Sequence, residues 1–375
     1  MTRPPRSRAI LDSIPAYAPG RSAAARSVDA SGAPIVEAVK LSSNEVAYPT
    51  DPGVVVAVTA AAETLNRYPD TASTGLVAAL AHKHGVDPAQ IVATTGSVAA
   101  LYHLLAAYCE PGDEVVYAWR SFEAYPIATL IPGATAVTVA LDGNFRHDVD
   151  AMAAAVGERT RIVLVCTPNN PTGPAVTAGE LARLVDAVPA HVVIVVDEAY
   201  AEFVTDPATA DGLALLPRHR NVVVLRTLSK AWGLAGARVG YLVADAEVAS
   251  AVRKVSLPFA VNTLAQVAAL TSLADEDGMR ARVAKVVAER ERVLPAARAL
   301  GFTVPDSQAN FFWLPAGDDA VTLAAHLDAG GVIARPFAGS GVRITVGLPS
   351  ENDRLLAALA TWRIAGGSGP TALNR

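Results

Sequence analysis

The stretch "HVVIVVDEAY", residues 191–200, decides the fold. Five β-branched residues in a row, Val192 to Val196, show no polar alternation. A strand with one wet face alternates, so this one is buried on both faces, the habit of strands in parallel sheets covered by helices. The run then ends abruptly in Asp197, Glu198 and Tyr200. On either side lie strands of the same character: "EVVYAW" (114–119), "AVTVAL" (136–141), "RIVLVCTP" (161–168), "NVVVLRTLSK" (221–230) and "ARVGYLVA" (237–244). Helical stretches separate several of them, as at 177–187 with Leu181, Leu184 and Val185 on one face. Short buried strands joined by helical crossovers predict an α/β domain around a mainly parallel sheet.

Working outward, "AVKLSSNE" (38–45) reads as a short strand entering a polar turn, and residues 54–66 and 74–84 read as helices. In "TTGSVAALYHLLAAYC" (94–109), Ser97 is the expected helix cap, with Val98, Leu101, Leu104, Leu105 and Tyr108 on one apolar face. After residue 255 a long charged helix (279–300) leads to shorter strands. These are "GFTVP" (301–305), "NFFWLP" (310–315), "GVIARPF" (331–337) and "GVRITVG" (341–347), among helices at 320–329 and 351–363. The expected division is an N-terminal arm with part of a small domain (1–45), a large domain (46–255), a small α+β domain (256–365) and a disordered tail (366–375).

Composition narrows the function. With 375 residues, the chain is too long for one compact core. It is 51% hydrophobic and 18% charged, with a net charge of −5 and the signs interspersed, so no basic block awaits a nucleic acid. No apolar run reaches the roughly 18 residues of a membrane span. The opening "MTRPPRSRAI" is basic but lacks the apolar core of a secretory signal. Cys109 and Cys166 sit singly in apolar contexts, which fits reduced thiols in a cytoplasm and neither a disulfide framework nor a metal site.

Open α/β sheets bind ligands outside the carboxyl ends of their strands. Those ends deliver Asn170 after one strand, Asp197 and Tyr200 after the next, and Ser229 and Lys230 after "VVVLRTL", with Arg238 following. The helix start at Ser97 adds backbone N–H groups suited to an anion. Each has a bland reading: Asp197 as a helix cap, Asn170 as an Asx-turn, Tyr200 as packing, Arg238 as a surface cation and Lys230 as a snorkelling lysine. Together they match one requirement. Pyridoxal phosphate needs a lysine for imine formation, a carboxylate for its ring nitrogen, donors to its phenolic oxygen and an anion cradle.

The order of "YAPG", "KLSSNE", "RYPD", "PNNPTG", "DEAYAEF", "RTLSKAWGLAGARVGY", "QANFFWLP" and "VRITVG" resembles the fold-type I pyridoxal-phosphate aminotransferases, in particular the histidinol-phosphate and aromatic amino acid aminotransferase family. "RSFEAYP" and "RPFAGSGVR" resemble its aromatic branch. The resemblance implies a mainly parallel seven-stranded sheet flanked by helices, plus a smaller α+β domain. It implies that Lys230 carries the imine and moves the proton, that Asp197 pairs with the ring nitrogen, and that Asn170 and Tyr200 reach the phenolic oxygen. It further assigns Gly96, Ser97, Val98, Ser229 and Arg238 to the phosphate and Phe122 to stacking on the ring. Tyr68 is expected to reach the cofactor of a second subunit, making a homodimer. Tyr17, Asn44, Asn170, Arg335 and Arg343 are expected on the substrate side.

The expected reaction is transfer of an amino group from phenylalanine, tyrosine or tryptophan to 2-oxoglutarate. A guanidinium grips a carboxylate or a phosphate equally well, so Arg335 and Arg343 leave histidinol phosphate open as the alternative substrate. Two further readings stand behind these: a decarboxylase on the same scaffold, and a ligand sensor without catalysis. A sensor of this kind carries a DNA-binding domain, for which the roughly thirty residues ahead of the first strand are too few.

Overall fold

The computed structural model describes residues 5–14 and 38–364. Tyr17 and the tail from 366 therefore lie outside the described residues. After β1 (Val39–Lys40) come helices α1 (Pro52–Ala61) and α2 (Thr74–His84), strand β2 (Ile91–Thr94) and helix α3 (Ser97–Tyr108). The alternation continues with β3 (Glu114–Trp119), α4 (Ala124–Leu130), β4 (Thr135–Ala140), α5 (Val149–Ala154), β5 (Thr160–Cys166) and α6 (Ala178–Ala187). Strands β6 (Val193–Asp197), β7 (Val222–Thr227) and β8 (Gly240–Ala244) follow, then α7 (Ala246–Val255), α8 (Thr263–Ala274) and the long α9 (Glu276–Ala299). The last part holds β9 (Phe311–Gly317), α10 (Ala320–Ala329), β10 (Val332–Ile333), β11 (Arg335–Phe337), β12 (Ser340–Thr345) and α11 (Pro349–Ile364).

The large sheet has seven strands in the order β2-β8-β7-β6-β5-β3-β4. Strands β4, β3, β5, β6 and β7 pair in parallel, as the unbroken apolar runs predicted. Strand β8 runs against both of its neighbours, β7 and β2. It therefore begins at the edge where the others end, and that reversal brings Arg238 and Gly240 to the lysine-bearing edge. On one face Leu101, Leu104, Tyr125 and Val252 pack on Val115, Leu164 and Val195. On the other, Met152, Leu181 and Leu184 cover Val116, Val163 and Ile194. Helix α6 is fixed at its start by a reciprocal capping box between Thr177 and Glu180.

A second, antiparallel sheet has the order β11-β12-β9, and β1 pairs in parallel with β10. A third cluster joins these to the large sheet through Leu41, Tyr200, Leu228, Phe311 and Ile344. Four expectations need correction. "GVIARPF" is not one strand: Val332–Ile333 pairs with β1, and Arg335–Phe337 pairs with β12 in the other sheet. The helix expected at 54–66 begins at Pro52, capped by Asp51, and loosens into a 3-10 turn after Ala61. "GFTVP" forms no strand: Phe302 and Val304 are buried, but the Val304 carbonyl is taken by the Arg298 side chain rather than a neighbouring strand. Finally, Ser97 is the first residue of α3 and Gly96 its cap; no side chain caps the helix.

Candidate active site

At the lysine-bearing edge lies a cavity of about 350 Å³. Its walls include Gly96, Ser97, Val98, Phe122, Asn170, Asp197, Tyr200, Ser229, Lys230 and Arg238, with Asn44, Arg335 and Arg343 on the side of the smaller sheet. Every candidate site residue among those described, except Tyr68, is thus brought to one place. Tyr68 is 83% exposed and stacks on Phe259, with ring centroids 4.7 Å apart. A larger groove of about 1200 Å³ between α2, α8 and α9 contains none of these residues.

The anion cradle depends on two glycines. Gly96 turns the chain from β2 into α3 at φ +89°, and a Cβ there would lie 2.7 Å from Nη2 of Arg238. Gly240 lets β8 pass directly beneath the helix start; a Cβ on it would meet the Ser97 nitrogen at 2.3 Å. With no side chain capping α3, its first N–H groups are left for an anion, next to a guanidinium. That guanidinium is aimed by Arg238 Nη1, which donates to Ser229 Oγ at 3.3 Å and to the Ala235 carbonyl at 3.2 Å.

At the cavity floor, Asp197 is buried at the end of β6. Its Oδ2 accepts a hydrogen bond from the Tyr125 hydroxyl at 2.9 Å, whereas Oδ1 has no partner. Burial pushes this carboxyl up to about 6, opposed chiefly by the Tyr125 bond. A buried carboxylate with one unsatisfied oxygen is costly unless a cationic N–H donor meets it. The protonated ring nitrogen of pyridoxal phosphate is such a donor, and the cradle above suits its phosphate. The residues present fit the group.

Lys230 follows β7 on the same edge, its Nζ 3.4 Å from the Ser43 carbonyl and 5.8 Å from the Tyr200 ring centroid. Burial first, then the nearby Arg343, brings its amine down to about 8. A lysine near neutrality gives up and regains a proton readily. Beside it, Asn44 donates from Nδ2 to the Tyr200 oxygen at 2.9 Å, which leaves the tyrosine proton free to be donated elsewhere. Asn44 is itself fixed by Thr345, whose hydroxyl donates to Asn44 Oδ1 at 3.2 Å.

Arg343 enters from β12, donating to Asn170 Oδ1 at 2.7 Å and to the Ser42 carbonyl at 2.6 Å. Because its carbonyl oxygen is taken by Arg343, the Asn170 side chain has its amide N–H groups left to offer the cavity. Arg335 donates from Nη2 to both oxygens of Glu123, at 2.9 and 3.1 Å. Sequence reasoning missed Glu123 and Tyr125. Both lie in "RSFEAYP", beside Phe122, which it had found. It also missed the buried support behind Asn170, where Asn169 Oδ1 accepts from Ser121 at 2.7 Å and lies 3.1 Å from His147 Nε2.

An α/β sheet whose strand ends present a lysine, a buried carboxylate and an anion cradle defines a class: enzymes that work with pyridoxal phosphate. Within it, residues 36–359 match the family model "Aminotransferase class I and II", and the chain belongs to that family. It is a pyridoxal-phosphate-dependent transaminase. It is 49% identical over 359 residues to the aromatic amino acid aminotransferase of Streptomyces avermitilis, covering 96% of this chain and 98% of that one. The aromatic amino acid aminotransferase of Thermobifida fusca is 51% identical over 360 residues, with the same coverage. Among solved structures, histidinol-phosphate aminotransferase from Sinorhizobium meliloti in complex with pyridoxal 5'-phosphate superposes with a TM-score of 0.81. It shares 29% identity, over 87% of this chain and 91% of that one.

Proposed function

We propose that this transaminase takes the amino group from an aromatic L-amino acid and passes it to a 2-oxo acid, working as a homodimer in the cytoplasm. The observation that carries the substrate class is identity of 49–51% across almost the whole chain to enzymes named for aromatic amino acids. The structural neighbour named for histidinol phosphate is more distant, at 29%.

The residues divide the work. Pyridoxal phosphate, when bound, would supply an electron-accepting ring and an aldehyde whose oxygen is exchanged for the amino group. Lys230 holds the cofactor between substrates and, once released, moves the proton at the substrate's Cα; an amine near 8 is suited to both. Asp197 keeps the ring nitrogen protonated through its otherwise unpartnered Oδ1. Tyr200 and Asn170 would offer O–H and N–H to the phenolic oxygen, and Phe122, on the same cavity wall, would pack on the ring. The start of α3, with Gly96, Ser97 and Val98, holds the phosphate together with Ser229 and Arg238. Arg343 takes the substrate carboxylate, and Asn44 orients Tyr200. Tyr68 serves the neighbouring subunit's site, which agrees with its exposure here.

The test is a half-reaction titration of the cofactor-loaded enzyme, following the cofactor's visible absorbance with phenylalanine and with histidinol phosphate in turn. Faster conversion by phenylalanine is expected. Faster conversion by histidinol phosphate overturns the substrate assignment and leaves the transaminase chemistry standing.

A further inference from the structure

Asn169 stands immediately before Asn170, and every hydrogen-bonding group it has is in use. Its backbone N–H donates to the Pro174 carbonyl, and its carbonyl accepts from the Gly173 N–H, both at 2.8 Å. Its side chain, 1% exposed, meets four more partners. Nδ2 donates to the Arg120 carbonyl at 3.1 Å and to Thr172 Oγ1 at 2.8 Å. Oδ1 lies 2.7 Å from Ser121 Oγ and 3.1 Å from His147 Nε2. Ser121, His147 and Thr172 are buried with it.

One of these partners fixes the direction of every bond. The Arg120 carbonyl can only accept, so the amide nitrogen of Asn169 faces it and the amide oxygen faces the other way. Ser121 therefore donates to that oxygen, and His147 carries its ring proton on Nε2 and donates as well. Thr172 is free to accept because its own proton goes to the Phe145 carbonyl at 2.9 Å. The cost is visible at His147, whose buried Nδ1 has no partner. Burial also pushes the imidazole down to about 4, so it is neutral at pH 7. An apolar side chain would fill the same place without a bare nitrogen. What histidine adds there is one N–H aimed at Asn169.

The network joins three connections at the sheet edge. Arg120 and Ser121 follow β3 and lead into Phe122. Asn169 and Thr172 follow β5 and flank Asn170. Phe145 and His147 lie between β4 and α5. Phe122 and Asn170 line the cavity, whereas Asn169, Ser121 and His147 do not. A buried polar network that is satisfied in one arrangement specifies that arrangement. We propose that Asn169, oriented by His147 and Ser121, is a positioning residue that sets where Phe122 and Asn170 meet the cofactor. The proposal rests on the assignment of Asn170 to the phenolic oxygen.

The test reads the pH midpoint of the bound cofactor's visible absorbance, with thermal unfolding of the same samples. A donor to the phenolic oxygen favours its ionised form, so a displaced donor raises the midpoint. Asn169→Ala would strand four partners at once, so the partners are substituted instead. His147→Leu removes the N–H and keeps the space filled. It should raise the midpoint by about half to one pH unit and speed cofactor loss on dialysis about three- to tenfold. His147→Gln places an amide N–H the same number of bonds from Cβ as Nε2 and should restore both readings. Ser121→Ala should shift the midpoint in the same direction, and it serves alone if His147→Leu does not fold. The double variant should shift it by less than the sum, because both changes act through one amide. Asn170→Ala marks the full effect of losing the donor. If it leaves the midpoint unmoved, the assignment of Asn170 fails and the proposal with it. If it moves the midpoint while His147→Leu and Ser121→Ala lower only the unfolding temperature, the network is scaffolding and the proposal alone is overturned.

Discussion

Asp197→Asn should make the cofactor-free protein more stable, and by an amount that depends on pH. The Asp197 carboxyl rises from an ordinary value of 3.8 to about 6 in the folded chain, because burial disfavours its charge. A group whose folded value is raised favours the folded state while protonated, so its penalty accumulates as pH climbs from 4 to 6. At about 1.4 kcal/mol for each unit, the full penalty is about 3 kcal/mol above pH 6, and about half of that is present at pH 5. Asparagine removes the charge and can still accept the Tyr125 hydrogen bond on its carbonyl oxygen. Urea unfolding of the two cofactor-free proteins, at matched concentration, should give nearly equal stability at pH 4. Above pH 6 the variant should lead by about 3 kcal/mol. Adding pyridoxal phosphate should reverse the order at pH 7.5, because only the carboxylate meets a cationic N–H. A stability difference that does not change between pH 4 and 7 would refute the view that Asp197 is a desolvated carboxylate waiting for a positive partner.

Three other outcomes are expected. Lys230→Ala should abolish turnover and shift the absorbance of bound cofactor while leaving circular dichroism unchanged; an active variant removes the assignment of that lysine. Tyr68→Phe should weaken cofactor retention several-fold on dialysis. Mixed dimers with Lys230→Ala in one subunit and Tyr68→Phe in the other should tell whether the contact crosses subunits. Gly240→Ala drives a Cβ to 2.3 Å from the Ser97 nitrogen, so it should cost roughly 1–3 kcal/mol in thermal unfolding and loosen inorganic phosphate binding. An unaltered phosphate affinity would argue that the start of α3 is not the anion cradle.

The sequence displayed the fold where burial was complete. Runs such as Val192–Val196 admit few polar residues, so the ones at their ends stood out, and Asn170, Asp197 and Lys230 were found that way. Residues whose place depends on two distant segments meeting stayed hidden. Nothing in "RSFEAYP" says that Glu123 will meet Arg335, 212 residues later, or that Tyr125 will reach Asp197. Ser97 was misread for a related reason: its hydroxyl is a good cap in isolation, but Gly96 already makes the turn, and the packing of Gly240 fixes where the helix begins. "GFTVP" has the residues of a strand, yet a strand also needs a neighbour to bond to, which local pattern does not reveal.

The bonds that aim Arg343 and Asn44 span most of the chain: Arg343 to Ser42 and Thr345 to Asn44 each link residues 301 positions apart. For a protein being made on the ribosome, this sets a schedule. The seven strands of the large sheet are all complete by Ala244, so the strand ends that carry the cradle and the floor leave the ribosome first. The substrate side cannot close until β12 has been synthesised. The residues assigned to the cofactor are therefore all made before Arg335 and Arg343, and the substrate side is the last part of the site that a growing chain completes.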